Sequence, residues 1–376
     1  CRAEDRPLYQ SLLQEAGCDT VFLALEQEPF LWDYLPRVEK PIVLYGMGNG
    51  ADAILDRCAA LGIPVAGVFA SDEFVRGQEF RGYKVKTYKE MKAELGSFVI
   101  LIAFASERPE ILRRFFHLAR EQETYAPHLP LFGDSRVVTP GWIRENRGVL
   151  ERVYEKLADD VSRQVMEDIL RYKLTGKLEY LARTTDRRQD LETLFSFGEE
   201  ESYGDLGAYN GDTLREFLEL TGGHYEHLYG VEPDPKNFAK LQKFVEEDQL
   251  GRCTLVPDGI WAQSAALPFA ARGGRMSSLE QGGKTEGKVT CLDDLVGDRP
   301  LTCVKMDVEG VEKEALAGGA RVIRRCRPKM LLAGYHHDDD LWEIPLEVWN
   351  LVPEYRIHLR RHPYVPCWEI NFFVTL

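Results

Sequence analysis

Two stretches of the sequence have the form of a strand that runs into a glycine-rich loop and then a helix. The first is IVLYGMGNGADAIL, residues 42–55, and the second is YGDLGAYNGDTLREF, residues 203–217. Such turns join a parallel strand to a crossover helix and often carry a nucleotide-like ligand. The chain therefore contains two candidate ligand-binding turns of the same architecture, and both restrict the fold to the α/β class.

The segments around both turns alternate between strand and helix patterns. Apolar runs such as FVILIAFA (98–105) have the length of buried strands, and the alternation returns at Ser202. Short connections in this rhythm predict parallel sheets with helices on their faces. The last run, YRIHLRRHPYVPCWEINFFVTL (355–376), predicts two antiparallel strands with a turn near Pro363 to Pro366.

Strand patterns disappear in the middle of the chain, where VLERVYEKLADDVSRQVMEDILRYKLTG (149–176) carries an apolar stripe of helical period. We therefore predict two Rossmann-like domains joined by a helical segment. The predicted parts are an N-terminal domain at 1–138, a helical linker at 139–200 and a C-terminal domain at 201–376. Within the first part, YKVKTYKEMKAEL (83–95) is predicted to be helical.

Size and composition narrow the class of protein. The 376 residues are too many for one ordinary core, and the formal net charge of -14 argues against nucleic acid as the main partner. No apolar run reaches the ~20 residues of a membrane span. The eight cysteines form no CxxC pair, so neither a zinc site nor a redox motif is predicted, and a cytoplasmic location is expected. The middle helices are also compatible with a homo-oligomer.

Charge distinguishes the second turn from the first. Asp205 ends the predicted strand and Asp212 opens the helix, with Gly207 and Gly211 between them. Two carboxylates disfavour a pyrophosphate and favour an amine. Glu232 ends the next predicted strand, where an acid can accept both ribose hydroxyls. A ligand that combines an ammonium group, a carboxylate and a nucleoside fits this pattern, and S-adenosylmethionine is such a ligand.

The C-terminal half resembles an FkbM-type methyltransferase, a branch of the S-adenosylmethionine-dependent Rossmann-like enzymes. The resemblance rests on DLGAYNGDT (205–213), GVEPDPKNFAKL (230–241), VTCLDDL (289–295) and VKMDVEGVEKEALAGG (304–319). It implies a class I methyltransferase sheet that ends in an antiparallel hairpin, with S-adenosylmethionine as cofactor. It also implies O-methylation of a small-molecule, sugar or glycan-type substrate.

The candidate cofactor-binding residues lie in the second turn and after the next two strands. They are Asp205, Gly207, Asn210, Gly211, Asp212, Thr213, Glu232 and Asp258. The resemblance implies that Asp258 accepts the amino group of the adenine. The chain departs from the family at Tyr209 and Asn210, where a small or aliphatic residue is usual.

Methyl transfer to a hydroxyl requires positioning and gains from a general base. The candidate catalytic residues are Asp307, Glu309, His336 and His337. The aspartates at 338–340 are expected to raise the basicity of the histidines. A cation held by these histidines and aspartates is an alternative, but their spacing is not a specific ligand pattern, so no metal site is predicted. Lys305 lies two residues before Asp307 on the same strand face, and an ion pair of these two is another alternative.

The first turn suits a phosphate better, because no carboxylate lies in its loop. Its candidate residues, for a nucleotide or nucleotide-sugar, are Gly46, Gly48, Gly50 and Asp72. The other interpretation is a retained fold used for packing. Two further functions remain open: a nicotinamide-dependent oxidoreductase, for which no Tyr-x-x-x-Lys pair is evident, and a non-catalytic nucleotide-binding protein.

Overall fold

The structure, a computed structural model, describes residues 18–131, 137–269 and 285–376. Its contacts divide the chain into two compact units. Unit 1 contains the described residues up to Glu155, together with Asp160–Thr185 and Arg361–Glu369. Unit 2 contains Lys156–Asp159, Asp186–Arg360 and Ile370–Leu376, as far as these are described. Each unit has a sheet of its own, so the predicted pair of α/β folds is confirmed.

Unit 1 is built on a six-stranded sheet of order β3-β4-β2-β1-β5-β6. Its strands are β1 (Ile42–Tyr45), β2 (Val65–Ala70), β3 (Glu79–Phe80), β4 (Tyr83–Thr87), β5 (Val99–Ile102) and β6 (Glu123–Tyr125). All neighbouring pairs are parallel except β3 with β4. Every residue of β1 and β5 is buried, as expected for central parallel strands, which explains their uninterrupted apolar sequences.

The helices of this part of the chain are α1 (Cys18–Leu25), α2 (Leu31–Tyr34), α3 (Asn49–Ala60), α4 (Tyr88–Leu95), α5 (Pro109–Glu121), α6 (Pro140–Lys156) and α7 (Asp160–Thr175). The predicted helix over 83–95 is wrong in its first five residues, which form β4. Lysines flank the buried Val85 there, a period of two that fits a strand. A capping box between Thr87 and Glu90 then begins the helix.

The predicted linker at 139–200 does not form a separate part in the contact division. Helix α7 and most of α6 belong to unit 1, whereas the residues of the predicted linker from Asp186 to 200 belong to unit 2. Along α7, Val165, Met166, Ile169 and Leu170 are fully or almost fully buried. An amphipathic helix must bury its apolar side, and α7 does so within unit 1. No helix among the described residues has both the length and the apolar character needed to cross a bilayer.

Unit 2 is built on a seven-stranded sheet of order β15-β16-β14-β13-β7-β8-β9. The strands are β7 (Ser202–Leu206), β8 (His227–Val231), β9 (Cys253–Val256), β13 (Cys303–Met306), β14 (Lys329–Ala333), β15 (Arg356–Arg361) and β16 (Ile370–Thr375). The five strands from β9 to β14 are parallel, and β16 is antiparallel to β14. The predicted parallel sheet with an antiparallel end is confirmed.

The remaining elements of unit 2 surround this sheet or form a small one. Three short strands, in the order β10-β12-β11, are β10 (Gly259–Ile260), β11 (Ala265–Phe269) and β12 (Thr285–Thr290). The helices are α8 (Arg187–Leu194), α9 (Asp212–Leu220), α10 (Pro235–Glu247), α11 (Leu292–Val296), α12 (Glu312–Ala317), α13 (Ala320–Cys326) and α14 (Asp340–Leu351).

The register of the parallel strands brings their carboxyl ends to one edge of the sheet. Leu206 lies beside Val231 on one side and Met306 on the other, and Met306 lies beside Leu332. The residues that directly follow β7, β8, β13 and β14 therefore meet at this edge. In open α/β sheets, ligands bind at this edge.

Candidate functional site

The loop between β7 and α9 lies directly against the end of β13. Gly207 has a φ of +81°, and a Cβ atom built there would lie 2.0 Å from the carbonyl oxygen of Asp307. No side chain fits at that distance, so only glycine allows the two backbones to meet. At the other end of the loop, Gly211 has a φ of +86° and caps α9.

Asp205 supports this loop from inside the sheet. Its side chain is fully buried, Lys305 Nζ lies 3.2 Å from its Oδ1, and the hydroxyl of Thr213 donates to its Oδ2. Lys305 also donates to the carbonyl oxygen of Gly207 at 2.7 Å. Burial raises the pKa of Asp205, and the Lys305 ammonium and the Thr213 hydroxyl oppose that rise. The sequence predicts Asp205 as a cofactor-binding carboxylate at the end of the strand; in the structure it is fully buried and paired with Lys305 and Thr213.

The amides at the start of α9 are satisfied by the loop itself. The amide of Gly211 donates to Ala208 O at 2.8 Å, and that of Asp212 donates to Asn210 Oδ1 at 3.1 Å. Thr213 N donates to Asp212 Oδ1 at 2.9 Å. Asn210 and Asp212 thus cap the first turn, and the exposed Asp212 carboxylate remains at the mouth of the loop.

Glu232 follows β8 and joins the loop to it. Its side chain is largely buried, and it accepts one hydrogen bond from Tyr209 N and one from Asp234 N, each at 2.8 Å. Burial raises the pKa of Glu232, and these two N–H groups oppose the rise. Tyr209, one of the two departures from the family pattern, has a left-handed backbone with a φ of +48°. Asp258 is partly exposed and follows β9 at the same edge.

A second cluster forms where β13 and β14 end. His336 Nε2 lies 3.5 Å from Asp307 Oδ1 and 3.8 Å from Glu309 Oε2, while Nδ1 lies 2.9 Å from Glu312 Oε1. The hydroxyl of Tyr335 donates to Asp307 Oδ1 at 3.1 Å. Asp307, Glu309 and His336, three of the four predicted catalytic residues, therefore lie together, beside the loop between β7 and α9.

The protonation state of His336 decides whether it is able to act as a general base. Burial lowers the pKa of His336, but Glu312, Asp307 and Glu309 outweigh burial and raise it to about 10. Burial raises the pKa of Asp307, but the charges of Lys305 and His336 outweigh it and hold the pKa below its usual value. A histidine that keeps its proton up to about pH 10 is a poor general base at neutral pH.

The fourth predicted residue, His337, is held at the turn that follows β13. Its backbone N–H donates to Asp340 Oδ2 at 2.7 Å, and its Nε2 lies 3.2 Å from the carbonyl oxygen of Gly310. The second of these contacts fixes the position of the imidazole over the loop that carries Glu309. The predicted partner acids at 338–340 thus include one, Asp340, that accepts a hydrogen bond from the backbone of His337.

Two residues of this cluster were not among the sequence predictions. Glu312 is the third carboxylate of DVEGVE and begins α12, and Tyr335 directly precedes His336. The spacing of the acidic residues was visible in the sequence. A buried position for Glu312 was not, because an acid in the first turn of a helix usually serves the helix terminus in solvent.

The glycine loop of unit 1 also follows a buried strand. Gly46 and Gly48 have positive φ values, and a Cβ atom at Gly50 would lie 2.4 Å from Ala103 O, so α3 begins in contact with the end of β5. Asp72 is exposed in a short 3-10 helix after β2. These positions are compatible with a ligand at the edge of the unit 1 sheet, and a nucleotide there stays a prediction.

Comparison with known proteins agrees with the geometry of unit 2. Residues 205–365 match the methyltransferase FkbM domain, while no curated protein sequence matches the chain. The fold is similar to that of methyltransferase FkbM from Methylobacillus flagellatus KT, with a TM-score of 0.74 and 21% identity over 96% of this chain and 99% of that chain.

Other similar structures match about half of the chain. An rRNA methylase from Streptococcus thermophilus has a TM-score of 0.34 and 12% identity over 50% of this chain and 92% of its own. Fibrillarin from Aeropyrum pernix, in complex with S-adenosyl-L-methionine, has a TM-score of 0.33 and 14% identity over 50% and 73%. By the family match, residues 205–365 of this chain are similar to a methyltransferase FkbM domain.

Proposed function

We propose that the protein methylates a hydroxyl group of a sugar or glycan-type substrate, with S-adenosylmethionine as the methyl donor. The observation that carries the proposal is the meeting of three features at one sheet edge, inside the FkbM domain. These are the glycine loop after β7, Glu232 after β8 and Asp307 after β13. A cofactor and an acceptor bound there would lie side by side.

The residues of the loop fit the donor. Each oxygen of Glu232 accepts one backbone N–H and keeps a lone pair, so the carboxylate remains able to accept the two ribose hydroxyls. Asp212, exposed at the start of α9, suits the ammonium group, and we assign the adenine amino group to Asp258. Asp205 holds the loop in place through its contacts with Lys305 and Thr213. When bound, S-adenosylmethionine supplies a methyl group activated by a sulfonium.

The cluster after β13 fits an acceptor that carries hydroxyls. The Asp307 side chain is 34% exposed and Glu309 is 32% exposed, so both carboxylates reach solvent while His336 beneath them is buried. Carboxylates accept hydrogen bonds from the hydroxyls of a sugar. We assign Asp307 and Glu309 to contact with the acceptor, and His336 to holding them in place. Orientation of this kind supplies much of the rate in a displacement reaction.

Calorimetry of the full-length protein with S-adenosylmethionine tests the cofactor assignment. Glu232→Gln should weaken binding at least tenfold, because a charge-assisted hydrogen bond contributes about 1.5–3 kcal/mol. Glu226→Gln is the matched control, since Glu226 lies just before the same strand and is exposed. Unchanged binding in an Asp205→Asn/Glu232→Gln double variant would refute the assigned site.

The same measurement separates the alternative functions. NAD and a UDP-sugar are titrated into the wild-type protein in parallel. Binding of NAD without S-adenosylmethionine would favour an oxidoreductase and overturn the proposal. If the two titrants and S-adenosylmethionine all fail to bind, the proposal fails as well. Methyl transfer to a sugar hydroxyl is then measured with labelled donor and a panel of glycans.

A further inference from the structure

We propose that Asp307, Glu309, Glu312 and His336 form a binding site for one divalent cation. The sequence predicts no metal site, because the two adjacent histidines and the aspartates after them have no specific ligand spacing. The structure assembles a different set, drawn from the turn after β13, the first residue of α12 and the end of β14. The role of the cation rests on the proposed methyl transfer, whereas its binding does not.

The cluster is compact enough to surround one ion. One potential ligand atom each from Asp307, Glu312 and His336 lies within 4.8 Å of the others. The distances of 3.5 and 3.8 Å from His336 Nε2 to Asp307 and Glu309 are longer than good hydrogen bonds. They leave room for an ion with bonds of about 2.0–2.2 Å after small shifts of the two partly exposed carboxylates.

The charges of the cluster do not balance. Three carboxylates surround one imidazole, and the side chains of His336 and Glu312 are only 2% and 1% exposed. Even with the imidazole protonated, the four residues keep two negative charges. Lys305 interacts with Asp307, but its ammonium is shared with Asp205 and with the carbonyl oxygen of Gly207. Buried charge is costly unless it is paired, and a divalent cation supplies the missing positive charge.

One carboxylate oxygen of Glu312 lacks a hydrogen-bond partner among the described residues. Glu312 Oε1 accepts from the amide of Val308 at 3.0 Å and contacts His336 Nδ1, but Glu312 Oε2 is buried with no hydrogen-bond partner among the described residues. Buried polar atoms nearly always have partners. A water molecule on the cation would give Oε2 a donor. A metal-binding histidine usually contacts a carboxylate through its other ring nitrogen. Glu312 lies at Nδ1 of His336 in this way, which leaves Nε2 for the ion.

The position of the site indicates what the cation does. Asp307 belongs both to the site and to the backbone that touches Gly207, so the ion lies next to the proposed cofactor loop. A hard cation there would bind two neighbouring oxygens of the acceptor, as in a diol. It would also lower the pKa of the hydroxyl that is methylated. The Nε2 proton of His336 leaves to solvent when the ion binds.

Titration of the metal-stripped full-length protein with Mn²⁺, followed by electron paramagnetic resonance of the free ion, tests the proposal. We expect one saturable site per chain. Asp307→Asn and Glu309→Gln should each weaken it at least tenfold, and Glu312→Gln about 10- to 100-fold. Glu314→Gln, on the same helix, is the matched control and should bind as the wild type does. No saturable site, or one that keeps its affinity in both Asp307→Asn and Glu309→Gln, would overturn the proposal.

Two further measurements determine whether each variant folds and whether it still binds S-adenosylmethionine. Asp307 and Glu309 are partly exposed, so their variants should fold even if Glu312→Gln does not, and circular dichroism melting of each variant verifies this. Calorimetry with S-adenosylmethionine on the same samples separates the two proposals. Donor binding without Mn²⁺ binding overturns only the cation site. Mn²⁺ binding without donor binding overturns only the proposed function.

Discussion

Lys305 lies almost fully buried on β13, between Asp205 Oδ1 and the carbonyl oxygen of Gly207. Burial lowers the pKa of Lys305, but Asp205 and Asp307 outweigh it and hold the pKa above its usual value. The pair therefore stays charged inside the sheet. A buried pair of this kind contributes little net stability, yet removal of one partner leaves the other charge buried and unpaired.

Replacement of Lys305 by methionine should destabilise the protein by about 3–5 kcal/mol, because Asp205 would remain buried without its cation. We expect a lower melting temperature and weaker binding of S-adenosylmethionine. The Lys305→Met/Asp205→Asn double variant should recover part of the lost stability. Lys313→Met is the control, since Lys313 pairs with Glu343 at the surface and should cost at most about 1 kcal/mol. Equal melting temperatures for Lys305→Met and Lys313→Met would contradict this account.

The start of β7 is tied to its two neighbouring strands by one carboxylate. Glu201 precedes β7, accepts from the hydroxyl of Thr302 ahead of β13, and lies 2.6 Å from the ammonium of Lys329 at the start of β14. Burial raises the pKa of Glu201, but Lys329, Thr302 and the amide of Gly198 outweigh it and lower the pKa overall. The three central strands thus begin at a shared, largely buried ion pair, opposite the site that their carboxyl ends form.

Replacement of Glu201 by glutamine should lower stability by about 1–3 kcal/mol at pH 7, because the Lys329 ammonium loses its anion. A carboxyl whose folded pKa is lowered stabilises the fold above its unfolded pKa and loses that contribution as the pH falls through the folded value. The difference in melting temperature between wild type and variant should therefore shrink between pH 5 and pH 3. Glu200→Gln, at the exposed neighbour, is the control. A difference that stays constant over this range would argue against the ion pair.

At the scale of the whole chain, two units with separate sheets alternate along the sequence. The segment Arg361–Glu369, which begins at the last residue of β15 and ends before β16, belongs to unit 1, and the fully buried Arg361 donates there to the carbonyls of Leu181 and Arg183. The sequence predicts only a hairpin turn at this place. The two last strands of the unit 2 sheet are thus connected by a segment that belongs to unit 1.

Hydrogen exchange of the full-length protein should separate the two candidate ligand sites. S-adenosylmethionine should slow exchange at 207–213 and 232–237 in unit 2, where the proposed cofactor site lies, and leave 46–50 in unit 1 unchanged. A UDP-sugar should slow exchange at 46–50 if the unit 1 loop binds a nucleotide-sugar. Exchange slowed by S-adenosylmethionine at 46–50, with no change at 207–213, would reverse the assignment of the sites.

Local patterns in the sequence determined the kind and order of the elements. Period and strand length predicted β5, α5 and the antiparallel end of the unit 2 sheet, because these depend on neighbours in the chain. The positions of Asp205, Glu232 and Asp307 at strand ends followed from the same patterns. The short β4 was mistaken for helix, because Lys84 and Lys86 and the polar residues after them resemble a solvated helix face.

The tertiary structure decided how the charged groups are paired. Lys305 pairs with Asp205, a hundred residues earlier in the chain, although Asp307 lies two residues away on its own strand. The pKa of His336 is raised because Glu312, Asp307 and Glu309, which follow another strand, surround its imidazole and outweigh burial. Sequence spacing therefore predicted the sheet edge at which Asp205, Glu232 and Asp307 meet. The burial and long-range contacts that set each charge exist only in the folded chain, because electrostatic strength depends on surroundings that no local pattern encodes.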